Sequence, residues 1–400
     1  MKFLFDDESF SYEALRAAGF ASYGGAELGE VIATASRIPD GDEAAWLREW
    51  EATAMRVHAI GEAAAKAGHR VSAREALLRA SNYYRTAEFY RRDDPAHDPV
   101  PRELSRLARE TFWEAAQLLD TPVHPVAIPY EGTTLPGYLF LADDTEQARP
   151  TVIFNSGFDS TLEESWFALA AAAVARGYHV LAFDGPGQGE VIREQGLTFR
   201  HDWEAVITPV VDYALSRPEI DPDRIALFGY SLGGYLTARA AAFEHRIAAL
   251  ILDDGLFDYH AAHVRMMPPF LADWIAAGRD EEANAVASLM MTVSTTMRWA
   301  LRNGQWTFGA SSPADYVRRT ADYTLAGVVD AIRCPTLVFD AENDLFFQGE
   351  APRVYEALTC EKKLIIGTAA EGAGEHCHTG AMVLTHQRMF DWLDDILATR

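Results

Sequence analysis

Cysteine is scarce: Cys334, Cys360 and Cys377 are the only three in 400 residues. They are too few and too scattered for a disulfide framework or a zinc site, which fits a reducing compartment. Positive charge is also short, with Lys+Arg 35 against Asp+Glu 59 and a formal net charge of -24. A surface of that sign repels nucleic-acid phosphates and anionic lipid head groups, so neither is expected as a partner. Long apolar runs are missing as well. The opening Met1-Lys-Phe-Leu-Phe-Asp-Asp7 turns acidic far short of a signal-peptide core, and no later window approaches a membrane span. A cytoplasmic location is the expectation. Gly185-Pro-Gly-Gln-Gly189 invites a dinucleotide or phosphate assignment, but its spacing is Gly-x-Gly-x-Gly, no Gly-Lys-Ser/Thr follows, and Pro186 removes an amide that a phosphate would want. It reads as a tight turn over the rim of a site, and no cofactor is implied.

What is present is an ordinary globular composition, 49% hydrophobic and 24% charged. The length exceeds what one hydrophobic core usually covers, so a main domain with at least one accessory domain is expected. Residues 1–122 carry helical signals. Trp46, Trp50, Ala54, Val57 and Ile60 form one apolar stripe on a helix starting near Asp42. The capping box Ser72-Ala-Arg-Glu75 predicts a second start, and Pro101 a third helix that reaches Leu119. The tetratricopeptide signature, with its period of about 34 residues, is not visible, so this is a helical accessory domain. The aromatic-rich run from Ser81 to Tyr90 is expected to pack against the main domain.

From Val123 the period changes. Val123–Tyr130 and Thr134–Leu141 predict a hairpin turning at Glu131-Gly132. Strands Thr151–Asn155, Tyr178–Asp184, Ile225–Gly229 and Ile247–Asp253 then alternate with helices, one of which carries a kinking Pro209. That alternation implies an α/β fold with right-handed crossovers and a mostly parallel sheet covered on both faces. The pattern breaks over 256–328, which is helical and rich in bulky apolar side chains: Met266, Met267, Phe270, Trp274, Met290, Met291, Trp299 and Trp306. It reads as a cap inserted over the site, although any single one of these side chains is better explained as the cap's own core. The sheet pattern resumes over 329–400, so the core comprises 123–255 and 329–400.

The chain is organised around Ile225-Ala-Leu-Phe-Gly-Tyr-Ser-Leu-Gly-Gly234. Strand before and helix after place Ser231 on a Gly-x-Ser-x-Gly nucleophile elbow, with Gly229 and Gly233 leaving room where a Cβ would collide. The amide of Leu232 then points at an oxyanion on the substrate, and the amide of Phe158, freed by Gly157, is the second donor. A serine hydroxyl needs an imidazole to take its proton and a carboxylate to hold that imidazole. In such a sheet these follow the serine in the order acid, then histidine. Asp344 sits in the loop after the penultimate strand, with Asp340 and Glu342 as runners-up. His376 is favoured over His378 in the last glycine-rich loop. As metal ligands, His376, Cys377 and His378 lack a further ligand at any usual sequence spacing, so no metal is expected.

These motifs resemble a branch of the α/β-hydrolase superfamily that contains FrsA-type esterases, 2,6-dihydroxypseudooxynicotine hydrolase and fungal polyketide chain-shortening hydrolases. The resemblance rests on Gly157-Phe-Asp-Ser-Thr-Leu-Glu-Glu164, Phe183-Asp-Gly-Pro-Gly-Gln-Gly189, Arg193-Glu-Gln-Gly-Leu197, Gly229-Tyr-Ser-Leu-Gly-Gly-Tyr235 and Gly374-Glu-His-Cys377. Arg79-Ala-Ser-Asn-Tyr-Tyr-Arg85 is similar to that family's helical amino-terminal domain. The resemblance implies that His376 is catalytic and that Asp344 is its acid. It also implies that position 378, where relatives tend to carry Glu or Gln, is a substrate contact altered here to histidine. It implies attack on a ketone or ester carbonyl, several relatives cleaving the carbon–carbon bond of a 1,3-dicarbonyl. The expected substrate is a hydrophobic or aromatic small molecule, and the helical amino-terminal domain is a candidate homodimer contact. An acyl-elimination or lyase reaction, and a binding or regulatory protein that kept the scaffold, are the rival classes.

Overall fold

The computed structural model describes residues 1–145 and 147–398. Five helices come first: α1 (Glu8–Gly19), α2 (Leu28–Ala35), α3 (Glu43–Lys66), α4 (Arg70–Glu88) and α5 (Pro99–Ala116). Asp42 caps α3, its side chain accepting from the Ala45 amide. Helix α4 begins ahead of the predicted capping box. Gly68, at φ 79°, turns the chain out of α3 and straight into a new helix at Arg70, which leaves Ser72 inside the first turn. Helix α5 likewise starts at Pro99 behind an Asp98 cap, and it ends at Ala116 rather than Leu119. Trp46, Trp50, Tyr83 and Tyr84 fill the core that these helices share.

Eight strands form one sheet in the order β1-β2-β4-β3-β5-β6-β7-β8. β1 (Val123–Tyr130) and β2 (Thr133–Phe140) are the antiparallel edge hairpin, and β2 also runs antiparallel to β4 (His179–Phe183). β3 (Arg149–Asn155), β4, β5 (Ile220–Tyr230), β6 (Ala249–Asp253), β7 (Thr336–Ala341) and β8 (Lys362–Gly367) are mutually parallel. Helices α6 (Ala171–Val174), which continues a π-turn from Trp166, α7 (Glu204–Leu215), with Pro209 inside it, and α8 (Gly233–Ala241) follow β3, β4 and β5. Between β6 and β7 come α9 (Tyr259–Arg265), α10 (Pro269–Ala276), α11 (Asp280–Val293), α12 (Thr295–Thr307) and α13 (Pro313–Arg319), and after β7 come α14 (Glu350–Ala357) and α15 (Met382–Leu397).

Two apolar layers cover the sheet, one built on Trp203, Val206 and Leu236, the other on Phe154, Phe228 and Phe390. Parallel strands must be covered on both faces, so all six of these side chains are buried. Trp299 of α12 and Phe158 of the loop after β3 reach into the core of the amino-terminal helices. Phe89 stacks on Trp299 with ring centroids 4.4 Å apart. The run Ser81–Tyr90 therefore packs against α12 as well as the main body. Among the described residues no helix is long and apolar enough to cross a membrane.

Candidate active site

At the carboxyl end of β5 the chain reverses into α8 within a residue, and Ser231 carries the strain at φ 59°. A Cβ on Gly229 would stand 2.2 Å from the Gly233 carbonyl oxygen, and one on Gly233 would stand 2.6 Å from that of Asn155. Both positions are glycine because backbone occupies that space. The Ser231 amide donates to the Asp253 carbonyl at 2.6 Å, tying the elbow to β6.

His376 comes from the loop after β8 and meets the serine from above: its Nε2 lies 2.9 Å from Ser231 Oγ. On the other side of the ring, Nδ1 is 3.0 Å from Asp344 Oδ2. Asp344 sits in the turn after β7, where its Oδ1 also accepts from the Phe346 amide at 2.7 Å and the Phe347 amide at 3.1 Å. Burial works against the Asp344 carboxylate, but the adjacent His376 outweighs it and holds the group well below the ordinary carboxylate range. His376 is buried too, which disfavours its cation, yet the Asp344 charge wins and raises the imidazole well above its ordinary value.

Of the other acids considered, Asp340 belongs to β7 and Glu342 is exposed, accepting from the Ala369 amide at 2.7 Å. A carboxylate that the spacing did not reveal stands closer. Asp254, directly after β6, places Oδ2 2.7 Å from His376 Nδ1, off the axis along which the ring N–H meets Asp344. Its only sequence signal is a pair of aspartates ending the strand beside the elbow strand.

The fold also overturns one expectation. His378 does not face the pocket: it is buried behind the site, with Nδ1 2.9 Å from Asp253 Oδ1 and Nε2 3.2 Å from the Asp340 carbonyl. Its imidazole fills the space beside Gly367, so a substrate contact at this position is ruled out. The missing metal ligands exist in space, since Asp254 lies beside His376 and Cys377, and Asp253 and Asp254 lie beside His378. His376 and His378 meet these carboxylates at nitrogen–oxygen distances of 2.7 to 3.0 Å.

Gly157 lets the loop after β3 press on the elbow, where a Cβ would come within 2.8 Å of both Ser231 Cβ and the Tyr230 carbonyl. Among the described residues, neither the Phe158 amide nor the Leu232 amide meets a protein acceptor. The loop is held from two sides. Gln188, in the glycine-rich turn after β4, donates through Nε2 to the carbonyls of Ser156 at 2.7 Å and Gly157 at 3.1 Å. That turn braces the loop from behind. From the front, Arg16 of α1 bonds Asp159 at 2.9 Å and Glu164 at 2.9 Å, while Arg85 of α4 reaches Glu164 at 3.0 Å and Glu13 at 3.2 Å. Burial pushes the Glu13 carboxyl up to about 7 against the pull of these arginines.

Ser231 and His376 open into a cavity enclosing about 980 Å³ of space not filled by atoms, part of it continuous with solvent. Met266, Met267, Met297 and Trp299 supply an apolar roof. Other bulky side chains of the same segment do not reach it. Trp306 lies between the guanidinium groups of Arg92 and Arg193, and Phe270 packs edge-on against Trp274. The opposite wall comes from α1, as Tyr12, Glu13 and Arg16. Sequence periodicity offers no sign that a helix more than 200 residues before the serine would line its pocket.

Comparison with known proteins agrees with this architecture. The model of the FrsA-like esterase family matches residues 40–310. The hydrolase LUC6 of a Fusarium species is 38% identical over 99% of this chain and 98% of its own. The 20-hydroxy-prefusarin hydrolase FUS2 of Gibberella moniliformis is likewise 38% identical, over the same shares of both chains. Among solved structures, the 2,6-dihydroxy-pseudo-oxynicotine hydrolase superposes with a TM-score of 0.75 at 23% identity, covering 96% of each chain, and so shares the fold. The chain belongs to the FrsA-like esterase family, and it is an α/β-hydrolase enzyme.

Proposed function

We propose that this member of the FrsA-like family is a serine hydrolase in which Ser231, His376 and Asp344 act as nucleophile, base and acid on a carbonyl of a hydrophobic or aromatic small molecule. The observation that carries this reading is the unbroken relay from Ser231 Oγ through the His376 ring to Asp344, at 2.9 and 3.0 Å, opening into an apolar cavity. His376 Nε2 takes the hydroxyl proton as Oγ adds to the carbonyl, and the oxyanion settles between the Phe158 and Leu232 amides. Collapse breaks the bond to the leaving group. In an ester that group is an alkoxide, and in a 1,3-dicarbonyl it is the enolate carbon; His376 returns the proton to either. Water then repeats the sequence on the acyl-serine, so one water is consumed and one acid released.

The carbon–carbon route is the one favoured by the roof, because an enolate leaving group needs shelter from water and Met266, Met267, Met297 and Trp299 provide it. One relative is named a 20-hydroxy-prefusarin hydrolase, and we infer a small-molecule substrate for this chain as well. The test compares wild type with Ser231→Ala on 4-nitrophenyl esters and on aryl 1,3-diketones. Loss of turnover on both classes supports the reading. A Ser231→Ala enzyme that keeps most of its rate would instead favour elimination with His376 as base, and a wild type inert towards both together with an unreactive serine would favour a binding role.

A further inference from the structure

We propose that Asp254 is a second acid for the same imidazole, able to hold the His376 Nδ1 proton when Asp344 cannot. The inference rests on the serine-hydrolase reading above and goes beyond it, because a single acid is all that such a relay needs.

The placement is built in. Asp254 follows β6 directly, and its carbonyl lies where a Cβ on Gly234 would stand, 1.8 Å away, so the first turn of α8 presses on the backbone that carries it. Its Oδ2 is 2.7 Å from His376 Nδ1 and also accepts from the Cys377 amide at 3.2 Å, a bond that steers this oxygen towards the ring. Oδ1 is buried without a protein partner. The groups facing the carboxyl are Asp344, His376, the Cys377 thiol at 3.9 Å and the neighbouring Asp253.

Two carboxylates this close cannot both carry full charge. Burial, reinforced by the charges of Asp344 and Asp253, pushes the Asp254 carboxyl up to about 7, while the adjacent His376 outweighs burial at Asp344 and keeps it ionised. In the resting enzyme Asp344 is therefore the ionised partner of the ring. Removing the Asp344 charge removes the second largest, after burial, of the three causes that keep Asp254 protonated. Asp254 then ionises more readily, and its carboxylate stands 2.7 Å from Nδ1, within reach of the ring N–H. Asp254 is thus a positioning residue, acting on the reaction through His376.

The experiment is a double-mutant cycle with Asp344→Asn, Asp254→Asn and the two combined, read as kcat and KM on one ester, with melting temperature recorded for each. Loss of the acid from a serine triad costs about 10,000-fold in kcat when nothing replaces it. Here Asp344→Asn is expected to lose no more than about 100-fold, Asp254→Asn less than about tenfold, and the combination about 10,000-fold, with KM little changed throughout. If Asp344→Asn alone falls as far as the combination, or Asp254→Asn alone costs the full amount, the second-acid role is overturned while the serine-hydrolase reading stands. If the combination keeps the wild-type rate, that reading itself fails. A second measurement covers any variant that folds poorly. The low-field proton resonance of the His376 Nδ1–H should persist in Asp344→Asn and vanish in the combination, and its disappearance from Asp344→Asn alone would contradict the proposal.

Discussion

At the scale of single residues the site depends on two groups whose environments are unlike water. His376 is buried, which penalises its cation, but Asp344 more than offsets this and raises the imidazole above its ordinary value of 6.5. As the proposed base, His376 must be neutral to accept the serine proton, so kcat/KM should climb with pH and level off only above that value. In Asp344→Asn the midpoint of the climb should move to lower pH, which a pH–rate profile on both enzymes checks. Gly157 is the second. A Cβ there would lie 2.8 Å from the Tyr230 carbonyl and 3.1 Å from the Leu232 amide, both backbone atoms that cannot yield cheaply. Gly157→Ala should push the Phe158 amide away from the oxyanion and cost about 100-fold or more in kcat with KM little changed. The elbow was readable from sequence because its constraints are local, a strained serine between glycines. Asp254 was not, because an aspartate ending a strand looks the same whether it faces solvent or an imidazole contributed more than 100 residues later.

At the scale of elements, the helices before residue 122 belong to the site. Arg85 of α4 and Arg16 of α1 grip Asp159 and Glu164, the residues that flank the Phe158 loop. Two sequence motifs, the one ending in Arg85 and the one running from Gly157 to Glu164, thereby meet in space. Breaking a buried pair by removing one partner costs about 3 to 5 kcal/mol. Arg85→Met should accordingly lower the melting temperature and reduce kcat more than it changes KM. Adding Glu164→Gln to Arg85→Met should recover part of the melting temperature without recovering kcat, since the loop stays unbraced. Differential scanning calorimetry with steady-state kinetics separates the two effects. Periodicity found α3, α4 and α5 to within a few residues, because apolar stripes and caps are written locally. It could not assign α1 to the pocket, because Tyr12, Glu13 and Arg16 earn that position through tertiary contacts alone.

For the whole molecule, alternation of strand and helix signals was enough to identify the sheet and its insertion, and the −24 charge set the character of the surface. What the pattern could not show is that a buried ionic pair sits behind the loop that carries His376. Burial opposes a charged His378, yet Asp253 outweighs it and raises the imidazole to about 9 from its ordinary 6.5. Because the folded value lies above the unfolded one, the stability it contributes is complete below pH 6.5 and is lost as pH rises through 9. The melting temperature should therefore decline across that window, and His378→Gln should flatten the decline. The substrate contact that the family resemblance implied at position 378 does not carry over, because a shared motif does not reveal which way a side chain turns, and here the missing Cβ of Gly367 gives His378 a place inside.

The most direct measurement is the site and rate of reaction with a fluorophosphonate probe, followed by peptide mass spectrometry. One adduct on Ser231 is expected, absent from Ser231→Ala and formed on the order of 1,000-fold more slowly in His376→Ala. An unlabelled Ser231, or labelling that does not depend on His376, would contradict the claim that the 2.9 Å contact between them is the working bond of this enzyme.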